Sequence, residues 1–253
     1  MEPITGGTII LYGIAASTAA GLATGAGALP ALFVRRVSER FMDTALGCAA
    51  GVMLAATSFS LIVPAIEAGG VWITAIGIAI GAVFLDQADK WIPHEHFQKG
   101  PEGPSSTLRR TWLFILAITL HNFPEGLAVG VGFGGGDVER GTALAIGIGL
   151  QNMPEGLAVA LPLLRERYQR WKALLIAAMS GLVEPVGGAI GVGAMAVARP
   201  FLPLGLAFAA GAMLFVISDE IIPETHSRGN EREATFGVIV GFLVMMTLDN
   251  LFG

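Results

Sequence analysis

Thr111–Phe133 reads TWLFILAITLHNFPEGLAVGVGF, an apolar run interrupted near its middle by His121, Asn122, Pro124 and Glu125. Thirty residues on, Thr142–Leu164 reads TALAIGIGLQNMPEGLAVALPLL, with Gln151, Asn152, Pro154 and Glu155 at the matching places. At about 1.5 Å per residue each run makes a helix of about 34 Å, long enough for the ~30 Å hydrocarbon core of a bilayer. Two adjacent membrane-length helices that repeat one polar motif decide the fold class. This is an all-α integral membrane protein, with its chemistry at the middle of the membrane.

The rest of the chain extends that pattern. Of 253 residues 53% are hydrophobic and only 14% charged, and mean hydropathy is +0.68. Soluble domains run near 25% charged. Hydropathy marks eight transmembrane spans: Thr8–Leu29, Asp43–Ile66, Val71–Trp91, Thr111–Phe133, Thr142–Leu164, Ala173–Ala198, Pro200–Ile222 and Ala234–Phe252. Eight helices of about 20 residues use about 160 positions, so 1–253 reads as one polytopic domain with no folded part outside the membrane. The start, Met1-Glu2-Pro3, lacks a basic n-region, so the first apolar segment reads as a retained span.

Charge supplies the orientation. Thirteen of the 15 Lys and Arg fall in the loops after spans one, three, five and seven; only Arg140 and Arg199 fall on the other side. The positive-inside rule makes those four loops cytoplasmic and both termini external, in a cell membrane. A net charge of −5 offers no basic surface for nucleic acid. One cysteine, Cys48, excludes an internal disulfide and a CxxC metal knuckle. Gly21/Gly25, Gly77/Gly81 and Gly187/Gly191 mark close helix packing.

Glu125, Glu155 and Glu184 all fall inside apolar spans, where a charge costs about 3 kcal/mol on insertion scales. With every Lys and Arg assigned to loops or span ends, these acids must be protonated, face water, or hold a metal cation. His121 and Glu125 stand at i and i+4 on one helix face, with Asn122 beside them, and Gln151, Asn152 and Glu155 repeat that geometry. Pro124 and Pro154 free the carbonyls of Leu120 and Leu150. One imidazole, amide oxygens and carboxylates form a ligand set for a borderline divalent ion such as Zn2+. On the residues alone, Met53 reads as core filler, Asp43 as the cap of span two, and His94 and His96 as a solvated loop able to collect ions transiently. Asp219, Glu220, Glu224 and His226 sit where span seven meets the cytoplasm, as a solvated helix end or an exit path.

At these residues the chain resembles the ZIP (Zrt/Irt-like) family of divalent metal transporters, closest to its prokaryotic GufA-type branch. The resemblance covers nearly the whole length. It implies an inverted repeat of spans one to three and six to eight around kinked spans four and five. It further implies a mid-membrane two-metal site, an elevator-like motion and a homodimer. The first metal site would take Met53, His121, Glu125, Gln151 and Glu155. The adjoining site would take Asn122, Glu125, Asn152, Glu155 and Glu184. Asp43 would stand on the outer approach, and Asp86, His94, His96, Asp219 and Glu220 on the route to the cytoplasm. Many members carry His where Gln151 stands, and close relatives can carry an acid where Asn152 stands. The long loop also lacks the His-rich tract of many eukaryotic members.

The function expected is therefore uptake of Zn2+, with Cd2+, Fe2+ and Mn2+ as further substrates. An intramembrane zinc-dependent hydrolase is the alternative, using His121 and glutamates on one zinc with a remaining carboxylate as base. Against it stand the absence of HExxH, the single histidine within the spans, and a duplicated motif with no substrate cleft. A proton channel would leave the His-Asn-Pro-Glu geometry unexplained.

Overall fold

A computed structural model describes residues 6–34, 37–96, 100–102 and 110–252, with the backbone alone at 94–96, 100–102, 110 and 252. Among the described residues there are ten α-helices: α1 Gly6–Gly27, α2 Glu39–Ala55, α3 Val63–Trp91, α4 Arg110–Gly134, α5 Val138–Arg165, α6 Arg170–Gly181, α7 Glu184–Val197, α8 Leu202–Val216, α9 Ile222–Thr225 and α10 Glu231–Phe252. A short antiparallel hairpin, β1 (His94–His96) with β2 (Gly100–Glu102), lies along α4 where the sequence suggested only a solvated loop.

Seven helical segments among the described residues are long and apolar enough to cross a membrane. One of them, Glu39–Trp91, has 53 residues. That is about 80 Å of helix, far beyond one bilayer core. Its break is Gly70, at φ +78°, between the second and third spans expected from hydropathy. Only a residue without Cβ adopts that backbone freely. Wider π turns occur at Ala56–Ile62, after α2 in the same segment, and at Ile217–Ile221 after α8, and a proline follows each within two residues (Pro64, Pro223). Such bulges occur often at functional positions. By contrast α4 and α5 run unbroken through Pro124 and Pro154.

The helices pack in a regular scheme. α2 lies along α10 and α3 along α8, while α1 lies along α5 and α4 along α7. Glycines set the closest of these contacts. A Cβ at Gly126 would strike the Glu184 carbonyl, and one at Gly156 the Thr24 carbonyl. Each motif glycine thus lets one neighbouring backbone come down onto the helix beside the motif glutamate. α4 and α5 are the most enclosed of the long helices, whereas α10 keeps most of its surface outside. Exposed Trp72, Ile76, Val83, Val186, Ile190, Ile239 and Leu243 form the apolar perimeter that lipid would cover.

Candidate metal-transport site

Five polar residues of the two motif copies on α4 and α5 come together with one from α7. Asn122, Glu125, Gln151, Asn152 and Glu155 are all at most 2% exposed, and so is Glu184 from α7. Glu184 opens α7 after a break at Leu182 and Val183, where hydropathy suggested one continuous sixth span. The signal was present in Glu184-Pro185, since a residue before proline disfavours the helical region.

The motif asparagines do equivalent structural work. Asn122 Nδ2 donates to the Ser180 carbonyl at 3.0 Å, beside the break, and Asn152 Nδ2 donates to the Ala20 carbonyl of α1 at 2.9 Å. An amide chain then links the acids. Gln151 Nε2 donates to Glu125 Oε1 at 2.5 Å and to Asn152 Oδ1 at 3.2 Å, and Asn152 Nδ2 donates to Glu184 Oε1 at 2.6 Å.

Six buried oxygens of this cluster have no hydrogen-bond partner: Asn122 Oδ1, Glu125 Oε2, Gln151 Oε1, both oxygens of Glu155, and Glu184 Oε2. A buried acceptor left unpaired costs about 1–3 kcal/mol, and a carboxylate more. All six are acceptors, so the group that satisfies them must be positive or a donor. Among the described residues no three His, Cys, Asp or Glu side chains alone converge closely enough to hold a metal ion. The cluster is one of carboxylate and amide oxygens together.

His121 is buried on α4, but its Nε2 meets Glu220 Oε2 on the π turn after α8 rather than sharing a bond with Glu125. Glu220, expected only on the exit route, is thereby placed directly against a motif residue. Met53 is fully buried within the main apolar cluster. Asp219 is half-buried beside Glu220. Asp86 stands on a half-exposed face of α3, accepting from Lys90 at 2.6 Å and Gln87 at 2.7 Å, apart from the cluster. His94 and His96 belong to β1, and their side chains lie outside the described residues.

Asp43 requires correction on both counts. Ser38, not Asp43, caps α2, its side chain accepting from the Phe41 N–H at 3.2 Å. Nor does Asp43 stand at the end opposite the basic loops. It is fully buried, accepting from Arg228 at 2.8 Å and Asn230 at 2.8 Å, and Arg228 also holds Glu224. A buried carboxylate is retained where a guanidinium and an amide satisfy it, and here those donors come from the basic loop before α10.

Two adjoining cavities lead from the cluster toward that end. The inner one, about 40 Å³, is lined by His121, Glu155, Glu220 and Glu224 among apolar neighbours. The next, about 300 Å³, shares Leu46, Phe114, Ala158 and Glu224 with it and reaches Glu39, Arg165 and Arg228. At the other end a cavity of about 340 Å³, lined by Ser60, Glu67, Asp137 and Arg140, touches no member of the cluster.

Enclosed acids without basic partners, between helices of membrane length, define a polytopic membrane protein built to pass a cation. Comparison with known proteins agrees. The pattern of the ZIP zinc transporter family matches residues 85–249. The chain is 45% identical to the zinc transporter GufA of Myxococcus xanthus, over 95% of this chain and 99% of that protein. It is 44% identical to the zinc transporter ZIPB of Bordetella bronchiseptica (96% and 82%) and 37% identical to the human zinc transporter ZIP11 (89% and 93%). The chain belongs to the ZIP family, a family of transporters rather than enzymes.

Proposed function

We propose that this protein carries Zn2+ into the cytoplasm, binding it at mid-membrane between the two motif copies. The observation that carries this reading is the set of six buried oxygens without a hydrogen-bond partner among the described residues. Glu125, Glu155 and the Gln151 oxygen supply the first ligands, completed by His121 and the Met53 sulfur. Asn122, Asn152 and Glu184 form the adjoining group. Oxygen, nitrogen and sulfur donors together also admit Cd2+, Fe2+ and Mn2+.

Release runs through the cavities past Glu220 and Glu224, with Asp219, Asp86, His94 and His96 further along the route to the cytoplasm. Arg165 and Arg228 at that mouth support a cytoplasmic assignment. The helix pairing supports eight crossings related by an inverted repeat: α2 with α10 answers α8 with α3, and α1 with α5 answers α6–α7 with α4. An elevator-like motion would move the helices carrying the motif, α4 and α5, relative to the α2–α10 and α3–α8 pairs. The test is zinc uptake by purified protein in liposomes holding an internal zinc dye. Uptake by the wild type and none by Glu155→Gln is expected; equal uptake by both would refute the site.

A further inference from the structure

Asn152 differs from every other amide in the cluster in having its oxygen and its amide nitrogen both engaged by neighbours. An amide side chain has two N–H donors and a carbonyl oxygen with two lone pairs. Both donors are engaged, by the Ala20 carbonyl and by Glu184 Oε1, and Oδ1 accepts from Gln151. Asn122 Oδ1 and Gln151 Oε1, in contrast, have no partner. Turning the Asn152 amide to present its oxygen would aim that oxygen at a carbonyl and a carboxylate, acceptor against acceptor. It would also break three hydrogen bonds at once. The amide is therefore fixed, and its N–H holds Glu184 as a cation would.

Charge counting leads to the same place independently. Glu125, Glu155 and Glu184 carry at most three negative charges, with Glu220 engaged by His121. One divalent ion leaves a single negative charge, which falls on Glu184. There it accepts from Asn152 and sits in the first turn of α7, where free N–H groups favour an anion. Two divalent ions would exceed the charge of Glu125, Glu155 and Glu184 and leave the cluster itself net positive among buried helices. We infer that Asn152 is a built-in neutral occupant of the Glu184 side, so that this transporter holds one divalent cation at a time, on the Glu125–Glu155 side. The inference rests on the metal-site reading above.

The test counts ions. Purified wild-type protein is titrated calorimetrically with Zn2+, and bound zinc is measured after gel filtration. One ion per chain is expected in the wild type and two in Asn152→Asp, which replaces the donor by a fourth carboxylate. Two ions per wild-type chain would overturn the inference and leave the transporter reading standing; none would overturn both. One ion in a folded Asn152→Asp would also overturn the role given to Asn152. Because that variant loses two donated hydrogen bonds and can fail to fold, cadmium NMR of the wild type provides a second measurement. A single resonance is expected, and two would refute the proposal.

Discussion

The two copies of the motif, His121–Val129 on α4 and Gln151–Val159 on α5, share a backbone plan and differ in what they present to the space between them. In both, the asparagine donates to a carbonyl of a neighbouring helix, the glycine admits a neighbouring backbone (α7 at Gly126, α1 at Gly156), and the glutamate stays buried. The first copy leaves the Asn122 oxygen without a partner and sends His121 to Glu220. The second spends its amide N–H groups on Glu125, Asn152 and Glu184. Duplication therefore preserved the scaffold and divided the chemistry: both sides offer unpaired acceptors, but the first adds an imidazole and the second places amide donors on the acids. A copied motif need not be a copied ligand set.

If the scaffold roles are equivalent, breaking either one should be equally severe, and this is the largest effect expected. Gly126→Leu and Gly156→Leu each drive a side chain into a backbone carbonyl that cannot yield cheaply. Each should cost more than about 3 kcal/mol and leave little folded protein, read by thermal melting in detergent. Wild-type melting in one variant alone would show that only one copy depends on the close approach.

The glutamates come next, and here the copies should diverge. Glu155 has both oxygens without a hydrogen-bond partner, whereas Glu125 already accepts from Gln151 through one. Glu155→Gln should lower zinc affinity by about a hundredfold or more, about 2.8 kcal/mol, with Glu125→Gln following less steeply. Equal losses would mean that the Gln151 contact does not persist once the ion binds.

His121→Gln makes the first copy resemble the second, and a smaller change is expected. Removing the imidazole takes away one donor atom and the partner of Glu220. A fall of about tenfold in zinc affinity or uptake rate is expected, the scale seen when groups supporting a metal site are lost. Unchanged binding and transport would confine His121 to packing.

What the sequence revealed follows the range over which its signals act. Hydropathy located the membrane-length segments, and the i, i+4 spacing placed His121, Glu125, Gln151 and Glu155 on the inner faces of two helices, because both signals are local. The close packing expected at Gly21 and Gly187 is present, with Gly21 against the Gly181 carbonyl and Gly187 against that of Phe123. The pairing of His121 with Glu220, 99 residues away, and of Asp43 with Arg228, 185 residues away, had no local signature. Helix position alone made Asp43 look like a cap. The break before Glu184 lay between: its proline was visible, but an unbroken apolar run outweighed it.

The smallest effect expected concerns Gln151, which stands at the first position of the second copy where the first copy has His121. Gln151 donates from Nε2 to Glu125 and leaves Oε1 without a partner. A neutral imidazole also has one donor and one acceptor nitrogen. Gln151→His can keep the hydrogen bond to Glu125 while presenting nitrogen in place of an amide oxygen, the stronger ligand for a borderline ion. Zinc affinity should therefore rise about threefold to tenfold, or about 0.7–1.4 kcal/mol. Transport requires release as well as binding, so the maximal uptake rate should fall as affinity rises. Calorimetry and initial uptake rates on the two proteins separate this from a packing role. Unchanged affinity with a lower melting temperature would show that Gln151 serves only to hold Glu125 in place.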